Sequence, residues 1–328
     1  MVSEDESAEA VASLDAVPAA VDAVGHRVVH GGGRFREPLL IDADVESELA
    51  ALADLAPLHN EPALAAIDDA RKALPDVPHV AVFDTAFHAT IPETAATYAL
   101  PPRLREGLGI RRYGFHGLSV QWAAERVPVE RLVVCHLGGG CSVTAVRNGR
   151  SVETTMGFTP LEGVPMATRS GSVDPGALLH LLRTGALTVD ELDHVLEHEA
   201  GLLGLSEISD SVEQLERSDD PRAELALDVY TYRIAAAVGS VAVALGGLDA
   251  LVFTAGVGEH SALVRERVCS RLAHLGVALH VDANGVAEPD ADLTAPGALV
   301  QVVVLRARED LVAARAVRTL LGLRAQKS

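Results

Sequence analysis

The sequence predicts an α/β protein with mixed sheets in more than one domain. Its 328 residues are 48% hydrophobic and only 22% charged, a balance that suits two folded domains with real cores. Residues 132–155 alternate strands with tight turns as a β-meander, and the last third of the chain repeats strand, loop and helix. A meander followed by alternating strands and helices is typical of this class.

Local periodicity and turn residues predict the elements of the first part of the chain. Its strands end either in glycine, as at residues 30–33, or in a carboxylate, as at Asp84. Ligands of α/β proteins bind beyond the carboxyl ends of strands, so Asp84 stands where chemistry is frequent. The predicted elements are a helix over 9–17, a strand within 23–33, helices over 44–55 and 63–74, and a strand over 80–83.

The second part of the chain combines the meander with longer helices. Asn148 and Gly149 form a two-residue hairpin turn, and Thr188 with Glu191 has the spacing of a capping box. A loop rich in glycine and proline covers residues 156–176. The other predicted elements are helices over 175–184, 189–199, 223–245, 262–275 and 310–321, strands over 250–254 and 300–305, and a loop over 255–260.

Composition excludes several classes of protein. A net charge of −19 opposes binding to nucleic acid or to an anionic membrane, so neither is an expected partner. The three cysteines lack a metal-binding spacing and suit a reducing cytoplasm. The first ten residues are acidic where a signal peptide would be basic, and the longest uncharged apolar run, 234–248, is too short to span a bilayer. We therefore expect a cytoplasmic protein.

Three glycine-containing turns follow predicted strands, at residues 30–33, 136–140 and 255–260. Backbone N–H groups of such turns can bind phosphate, and two or more that converge on one cleft indicate a nucleotide site. One turn alone, such as 136–140, favours a plain hairpin. The third turn lacks the last glycine of a dinucleotide fingerprint, and the sequence contains no P-loop motif.

Two arginines and two histidines are candidates for anion binding. Arg27 lies on a strand, where a charged side chain needs a partner or solvent, and Arg169 lies in the glycine- and proline-rich loop. Taken singly, each also fits an ordinary surface or salt-bridged arginine. His59 and His116 flank turns, where a solvated histidine is the plainer interpretation.

Two carboxylates are candidates for metal binding. Asp84 and Glu309 each follow a predicted strand and could bind Mg²⁺ through oxygen, although helix capping is the plainer role for Glu309.

Residues 194–198, HVLEH, match the H-x-x-E-H pattern of a class of zinc peptidases. The surrounding helix has ordinary amphipathic spacing, with Leu192, Val195, Leu196 and Leu202 predicted to face the core. We therefore favour a solvated helix face over a zinc site.

Several stretches, taken in order over about 24–315, resemble the acetate kinases. This resemblance implies the two-domain fold of the sugar kinase, Hsp70 and actin superfamily, which is ribonuclease H-like and closes over ATP and a short carboxylate. It implies a first domain of residues 1–88 completed by 311–328, and a second domain of 89–310. The stretches are AVGHRVVHGG, LAPLHN, VAVFDTAFHATIP, YALP, GIRRYGFHGLS, CHLGGG, SVETTMGFTPLEGVPMATRSGSVDPG, GLLGLS and LVFTAGVGEH.

The resemblance also implies a role for each matching residue. Arg27 would bind the substrate carboxylate, Arg169 and His116 would stabilise the phosphoryl group in transit, and Asp84 with Glu309 would organise Mg²⁺. The apolar pocket for the substrate would comprise Val29, Leu58, Phe115 and Pro160, with His59 beside it. Contacts to ATP would come from His136, Leu137, Gly138, Gly139, Gly140, Ser211, Val212, Glu213, Gly256, Val257, Gly258, Glu259 and His260.

The implied activity is reversible Mg²⁺-dependent phosphoryl transfer from ATP to acetate or propionate, giving acyl phosphate and ADP. A carboxylate is already ionised at neutral pH and attacks phosphorus without a base, so Asp84 is better understood as a metal or water organiser than as a proton acceptor. Family members are often homodimers, which is the oligomeric state we expect. The alternative is a catalytically impaired relative that retains nucleotide or metabolite binding.

The chain departs from the family pattern at several positions. The family begins with a segment resembling N-x-G-S-S-S-x-K, which has no counterpart before Val24, so the first domain is expected to lack its opening strands. Gly139 replaces an asparagine, a loss of about 1.5–3 kcal/mol if that side chain bonds phosphate. The other departures are Ser211, Val212 and Glu213 for Asp-Phe-Arg, Val120 for a histidine and His260 for an asparagine.

Overall fold

The computed structural model describes residues 21–52 and 57–323, and it describes no side chains for 57–59. The predicted helix over 9–17 lies outside these residues. The described chain divides into two compact units. Of the described residues, the first unit contains 21–52, 57–90, 97–122 and 308–323, and the second contains 91–96 and 123–307.

The first unit is a small sheet between two layers of helices. Its strands run in the order β1-β3-β2, with β1 parallel and β2 antiparallel to β3. Its elements are β1 (Val24–Val28), β2 (Leu39–Leu40), α1 (Ala43–Ala51), α2 (Pro57–Ala73), β3 (His79–Phe83), a 3₁₀ turn (Ala86–Thr90), α4 (Pro102–Arg105), α5 (Gly117–Arg126, its last four residues in the second unit) and α14 (Glu309–Leu321).

Alternation along β3 explains the two helical layers. Ala81 and Phe83 point to the face covered by α1 and α2, whereas Val80 and Val82 point to the face covered by α5 and α14. All five residues of β3 are buried, as expected for a central strand with helices on both faces. The strand predicted over 80–83 is confirmed with one further residue at its start.

The predicted domain boundaries at 88/89 and 310/311 stay a prediction. The compact units differ from them in residues 97–122, which belong to the first unit because Leu118 and Trp122 pack against Val80, Val82 and α14.

The helices of the first unit differ in part from expectation. The helix predicted over 63–74 begins six residues earlier, at Pro57, and contains Pro62 within its second turn. The helix predicted over 44–55 ends at Ala51, and residues 53–55 lie outside the described residues. Helix α5 was not predicted, because its first turn contains glycine and its start depends on a tertiary contact described below.

The second unit contains a sheet in the order β6-β5-β4-β7-β9-β8. The meander is antiparallel, while β4, β7 and β9 are mutually parallel neighbours. The predicted strands of this part are confirmed within two residues at each end. The elements are α3 (Glu93–Ala96), β4 (Arg131–Leu137), β5 (Cys141–Arg147), β6 (Arg150–Thr154), α6 (Pro175–Arg183), α7 (Val189–His194), a π turn (Val195–Glu199), α8 (Gly201–Ser206), α9 (Val212–Glu216), α10 (Pro221–Leu245), β7 (Ala250–Thr254), α11 (Ala255–His260), α12 (Ala262–Arg271), a 3₁₀ turn (Ala273–Leu275), α13 (Val281–Gly285), β8 (Ala291–Asp292) and β9 (Gln301–Val304).

Residues 255–260 form a helix, so the prediction of a loop there was wrong. Ala255 adopts a left-handed backbone conformation, φ +65°, which turns β7 directly into α11. The buried Arg265 then donates from Nη1 to the carbonyls of Gly258 and Glu259, at 2.9 and 2.8 Å. These bonds satisfy carbonyls at the end of a helix whose sequence carries little helical signal.

Helix α10 is the core helix of the second unit. It packs against β4, β5 and β6 and against α8 and α12. By length and composition it is the one helix of the described chain that could cross a membrane. Half of its most apolar 18-residue stretch is buried inside the protein.

Two histidines of the first unit are buried in a neutral form. His26 Nε2 lies 2.9 Å from Nδ1 of His79, whose Nε2 lies 3.0 Å from the Leu74 carbonyl oxygen. Burial, with smaller effects from the charges of His79 and Arg71, lowers the pKa of His26 to about 4. Burial also lowers the pKa of His88 to about 4, although its hydrogen bond to the Phe115 carbonyl opposes the shift.

We predict that acid destabilises the first unit between pH 6.5 and 4. The unfolded chain, with a histidine pKa of 6.5, binds more protons in this window than the folded chain, so stability is fully present above it and falls as the pH is lowered. Each histidine should contribute a loss of about 2 kcal/mol between pH 7 and pH 5. Urea titrations followed by Trp122 fluorescence measure this, since Trp122 is the only tryptophan. H88Q should reduce the pH dependence, and H180Q, which changes an exposed histidine, should leave it unaltered.

Candidate active site

An ion-pair cluster lies at the carboxyl ends of the parallel strands β1 and β3. Arg27 Nε and Nη2 donate to the two oxygens of Asp84 at 2.9 and 2.6 Å, and Nη1 lies 3.1 Å from Glu309 Oε2. The Asp84 side chain is 1% exposed, whereas that of Arg27 is 44% exposed. One guanidinium that solvent can reach is thus shared by two carboxylates, so the arginine needs no other partner in this state.

Burial and charge compete within this cluster. Burial raises the pKa of Glu309 to about 7; the positive charge of Arg27 opposes this shift, and the negative charges of Asp84 and Asp310 add to it. Burial by itself lowers the pKa of Arg27. The hydrogen bonds to Asp84 and the negative charges of Asp84 and Glu309 outweigh burial, so the pKa of Arg27 is raised. Glu309 is the first residue of α14, in an acidic first turn whose N-cap position is Arg308, and its side chain contacts Arg27.

His116 is held beside Asp84 by a close backbone contact. Gly117 donates its N–H to the Asp84 carbonyl at 3.0 Å, and a Cβ atom on Gly117 would lie closer than 3.0 Å to that oxygen. His116 itself adopts φ +58° and its carbonyl accepts from Val120 in the first turn of α5. A non-glycine residue in this conformation is uncommon and is found at functional sites.

The predicted pocket residues of the first unit are only partly described. Val29 is half-buried after β1, and Phe115 is buried with its ring edge-on to that of His30 at a centroid distance of 5.3 Å. The side chains of Leu58 and His59 lie outside the described residues.

The glycine turn at residues 30–33 uses its N–H groups internally. Gly31 donates to Thr85 Oγ1 at 3.1 Å, and Gly32 donates to Nδ1 of the buried His30 at 2.9 Å. A Cβ on Gly31 would lie too close to the Phe35 carbonyl, so close packing explains this glycine. Sequence reasoning missed His30, Thr85 and Asn60, whose polar groups hold the turn; buried polar residues next to glycines were the available signal.

The glycine turn at 136–140 lies beside residues 255–260, which were predicted as a glycine turn and form α11, because the two segments follow the adjacent parallel strands β4 and β7. A Cβ on Gly138 would be 3.5 Å from that of Ala255, which is ordinary contact. Gly138 donates to the Gly140 carbonyl at 3.0 Å, and Cys141 Sγ donates to the Gly138 carbonyl at 3.3 Å. His136 and Leu137 are buried at the end of β4. Two of the three predicted glycine turns therefore share one edge of the sheet.

Gly139 is exposed at the tip of this turn and has open space around it. No atom lies within 4 Å of the position that a Cβ would take, and its φ is not left-handed. A larger side chain therefore fits here without displacing its neighbours.

If the turn binds the phosphates of ATP, as the resemblance to the acetate kinases implies, G139N should increase activity. If asparagine restores a hydrogen bond to a charged phosphate, the gain is about 1.5–3 kcal/mol, or roughly ten- to a hundred-fold in kcat/KM for ATP. Steady-state kinetics at varied ATP concentration test this, with G139A as the matched control because it adds a Cβ without a donor. Equal kinetics for G139N and G139A would contradict the prediction.

Arg169 lies in the loop after β6 and is 16% exposed. Its Nη1 donates to the Pro160 carbonyl at 3.0 Å, and its Nε lies 3.7 Å from Glu197 Oε2. The loop is fixed by backbone hydrogen bonds, from Met166 to the Arg169 carbonyl and from Ser170 to the Leu196 carbonyl, both 3.0 Å. Pro160 is buried and takes part through its carbonyl.

The segments expected to contact adenosine have mixed roles in the described chain. Glu259 is buried, and its Oε1 accepts from the N–H groups of Ala255 and Ala307 at 3.0 and 2.8 Å, which ties together the ends of β7 and β9. Gly258 packs against Phe253. Val257 is half-buried, whereas Gly256 and His260 are exposed.

The segment 211–213 begins helix α9. Ser211 caps the helix by accepting from Gln214 N–H at 3.4 Å, and Val212 is buried in the core. Glu213 is exposed and bonds Arg217 at 2.6 Å. Ser261 Oγ donates to Glu216 Oε1 at 2.5 Å, so α9 lies against the end of α11.

The HVLEH segment ends α7, with its capping box confirmed, and forms the π turn. The rings of His194 and His198 are 5.0 Å apart, and His194 Nε2 lies 3.3 Å from the exposed Glu199. Glu197 instead faces Arg169. Within residues 21–52 and 57–323, no group of three or more His, Cys, Asp or Glu side chains could hold a metal ion alone.

A mixed sheet with a glycine turn at its parallel carboxyl edge, and an α/β/α unit with an arginine–carboxylate cluster, suit a two-domain α/β protein of the phosphotransferase class. A family model described as the acetokinase family matches residues 8–315. The chain therefore belongs to the acetokinase family.

Relatives and solved structures agree with this assignment. The chain is 47% identical over 301 residues to the acetate kinase of Nostoc punctiforme, covering 88% of this chain and 74% of that protein. It is 49% identical over 310 residues to the acetate kinase of Gloeobacter violaceus, covering 91% of this chain and 76% of that protein. The crystal structure of Porphyromonas gingivalis acetate kinase matches with a TM-score of 0.86 at 37% identity, covering 92% of this chain and 78% of that one. The crystal structure of a propionate kinase from Francisella tularensis matches with a TM-score of 0.85 at 37% identity, covering 90% of this chain and 78% of that one.

Proposed function

We propose that the protein transfers a phosphoryl group reversibly between ATP and acetate, giving acetyl phosphate and ADP, with propionate as an alternative acceptor. The observation that carries this proposal is the family match over residues 8–315, in which both anion-binding arginines of the pattern, Arg27 and Arg169, are present.

The proposed chemistry depends on positioning and charge. Acetate is ionised at neutral pH and needs no base, so the protein must bring two anions together and neutralise the charge that develops. We assign Arg27 to the substrate carboxylate, because its half-exposed guanidinium can exchange an internal carboxylate for that of the substrate. We assign Arg169 and His116 to the equatorial oxygens of the phosphoryl group.

Val29, Phe115 and Pro160, with Leu58 and His59, are proposed to shape the apolar site for the short acyl chain. Apolar side chains at the acceptor site, together with an arginine that binds the carboxylate, would favour a short acyl acceptor such as acetate or propionate.

Mg²⁺ is the proposed metal, and Asp84 and Glu309 are its proposed ligands. Mg²⁺ is usually held by one or two carboxylates together with substrate phosphates and water, so a pair of carboxylates fits it without a larger protein cage. When bound, the ion would neutralise negative charge on the phosphates. Because burial favours the neutral form of Glu309 and Arg27 favours its charged form, this side chain is poised to respond to a cation.

ATP is proposed to bind with its phosphates at residues 136–140 and its adenosine near residues 256–260 and 211–213. Gly138 uses its N–H within the turn, so the backbone N–H groups of Gly139 and Gly140 are the ones proposed to meet the phosphates, beside the start of α11. Glu259 is proposed to support the site through the backbone of Ala255, to which it is hydrogen-bonded, and its sequence-based assignment to the ATP site stays a prediction.

We propose that the protein is a homodimer, with the contact along α10. The outward residues Leu225, Val229, Tyr232, Ala236, Gly239 and Val243 follow a 4-3-4-3-4 spacing, which is an apolar seam suited to another helix. Val243 is 81% exposed and Tyr232 57%, as expected for a surface covered by a second copy.

The seam predicts that V243E shifts the protein from dimer to monomer. A buried, unpaired carboxylate in the contact would strongly oppose association. Size-exclusion chromatography with light scattering measures the change, and V286E is the control because Val286 is equally exposed, at 83%, but off the seam. A monomeric wild type would refute the dimer.

The three cysteines are free and buried, which suits the cytoplasm that we propose as the compartment.

The assay for the proposed function combines purified protein, Mg²⁺-ATP, acetate and hydroxylamine. Acetyl phosphate formed in this mixture is trapped as acetohydroxamate, which is measured as its coloured iron complex. The second candidate function, nucleotide binding by a catalytically impaired relative, is favoured by Gly139 and Glu213, which replace an amide and a positive charge of the family pattern. ATP binding by calorimetry without hydroxamate formation would select that alternative.

A further inference from the structure

We infer that Glu197 is a positioning residue for Arg169, which it orients toward the phosphoryl group in transit. This inference rests on the proposed function, since it gives a catalytic role to Arg169. It also assigns a role to the glutamate of the HVLEH segment, which the sequence pattern alone associates with zinc.

The first observation is the contact between the two side chains. Glu197 Oε2 lies 3.7 Å from Arg169 Nε, and the two side chains are 17% and 16% exposed. The Arg169 Nη1 donates to the Pro160 carbonyl at 3.0 Å. Within the described chain, the Pro160 carbonyl thus contacts Nη1 of Arg169 and Glu197 lies near its Nε. These contacts leave the Nη2 group of Arg169 to bind an anion.

The second observation is the way in which the backbone brings Glu197 to this place. Thr168 Oγ1 donates to the Glu197 carbonyl at 2.8 Å, and Ser170 N–H donates to the Leu196 carbonyl at 3.0 Å. The residues on both sides of Arg169 are therefore bonded to the π turn that carries Glu197. Because a π turn inserts a residue into the helical repeat, it alters which side chains face a neighbour, and such turns are frequent at functional sites.

The third observation is the contrast with the neighbouring carboxylate. Glu199 lies in the same π turn, but its side chain is 59% exposed and faces His194 at 3.3 Å. Ion pairs between exposed side chains contribute little to stability because water and salt screen them. A pair shielded from water, such as Glu197 with Arg169, is screened less and holds its geometry more firmly. Glu199 is thus a matched control for the removal of one charge from this turn.

A salt bridge that orients a catalytic arginine affects the reaction more than the binding of substrate. A guanidinium that is misplaced by a fraction of an ångström still attracts ATP, but it stabilises the transition state less well. We therefore expect E197Q to lower kcat about ten-fold while the KM values for ATP and acetate stay within about two-fold. E199Q should retain the wild-type kcat, and both variants should keep the wild-type melting temperature.

Two measurements test this inference. In a double-substitution cycle, E197Q should lower kcat in the wild type and have no further effect in R169A, because Glu197 acts through Arg169. Separately, phenylglyoxal should modify Arg169 faster in E197Q than in the wild type or E199Q, with the site mapped by mass spectrometry. A residue with a merely structural role would lower the melting temperature and leave the cycle additive.

The outcomes separate this inference from the proposed function. If the wild type makes no acetyl phosphate, the proposed function fails, and the phenylglyoxal rates alone decide whether Glu197 holds Arg169. If the wild type is active and E197Q matches E199Q in kcat, Glu197 does not position Arg169. A ten-fold loss confined to E197Q, absent in the R169A background, supports the inference.

Discussion

Replacement of Arg169 by alanine should lower kcat for acetyl phosphate formation by about three orders of magnitude. Loss of one positioned donor to a developing charge typically costs a hundred- to a thousand-fold, and arginines that contact a phosphoryl group in transit contribute at the upper end or beyond. Steady-state rates with Mg²⁺-ATP and acetate measure the effect. R150A, which removes an exposed arginine at the start of β6, should be unaffected.

The fold around Arg169 should survive this substitution. The loop is held by backbone hydrogen bonds, from Met166 to the Arg169 carbonyl and from Ser170 to the Leu196 carbonyl, which alanine at this position retains. The melting temperature and the circular dichroism spectrum should therefore match those of the wild type. R169A with more than a tenth of wild-type kcat would exclude a direct role for this arginine.

Replacement of Gly117 by alanine should reduce both activity and stability. The added Cβ would lie closer than 3.0 Å to the Asp84 carbonyl oxygen and in contact with Phe87, so the backbone at Asp84 or His116 must move. Overpacking of this kind costs about 1–3 kcal/mol of stability. Displacement of two proposed site residues should also lower kcat about a hundred-fold.

The control for this prediction is G285A. Gly285 lies in α13 with open space at its Cβ position and no left-handed φ, so alanine there should be neutral or slightly stabilising. Urea titrations and steady-state rates compare the two variants. A G117A protein with wild-type stability and kcat would show that the contact with Asp84 is not needed to place His116.

The sequence was sufficient to predict the strands that carry the site. Period-2 patterning and dense β-branched residues identified the strands that end at Asp84 and at residue 137, because those features arise from burial on both faces. It could not predict helices that depend on tertiary contacts. Helix α11 forms because Ala255 turns the chain and Arg265 bonds the final carbonyls, and neither contact is visible in local propensity.

In the candidate site, too, some features could be predicted from the sequence and others depend on tertiary contacts. Ordered motifs placed Arg27, Asp84 and Arg169 at positions where the structure has ion pairs whose carboxylates are largely buried. The sequence could not show that Asp84 and Glu309 share one arginine, since residues 84 and 309 are brought together only by the packing of α14 on the first sheet. Nor could it show that Glu259 faces the backbone, because a carboxylate in a glycine-rich turn looks equally suited to a ligand.

The most direct test of this account is phosphoryl transfer from acetyl phosphate to Mg²⁺-ADP, with ATP measured by luciferase after purification of the wild type and R169A side by side. We expect the wild type to form ATP in proportion to enzyme concentration and R169A to form it about a thousand-fold more slowly. No ATP from the wild type above the R169A and enzyme-free samples would contradict it.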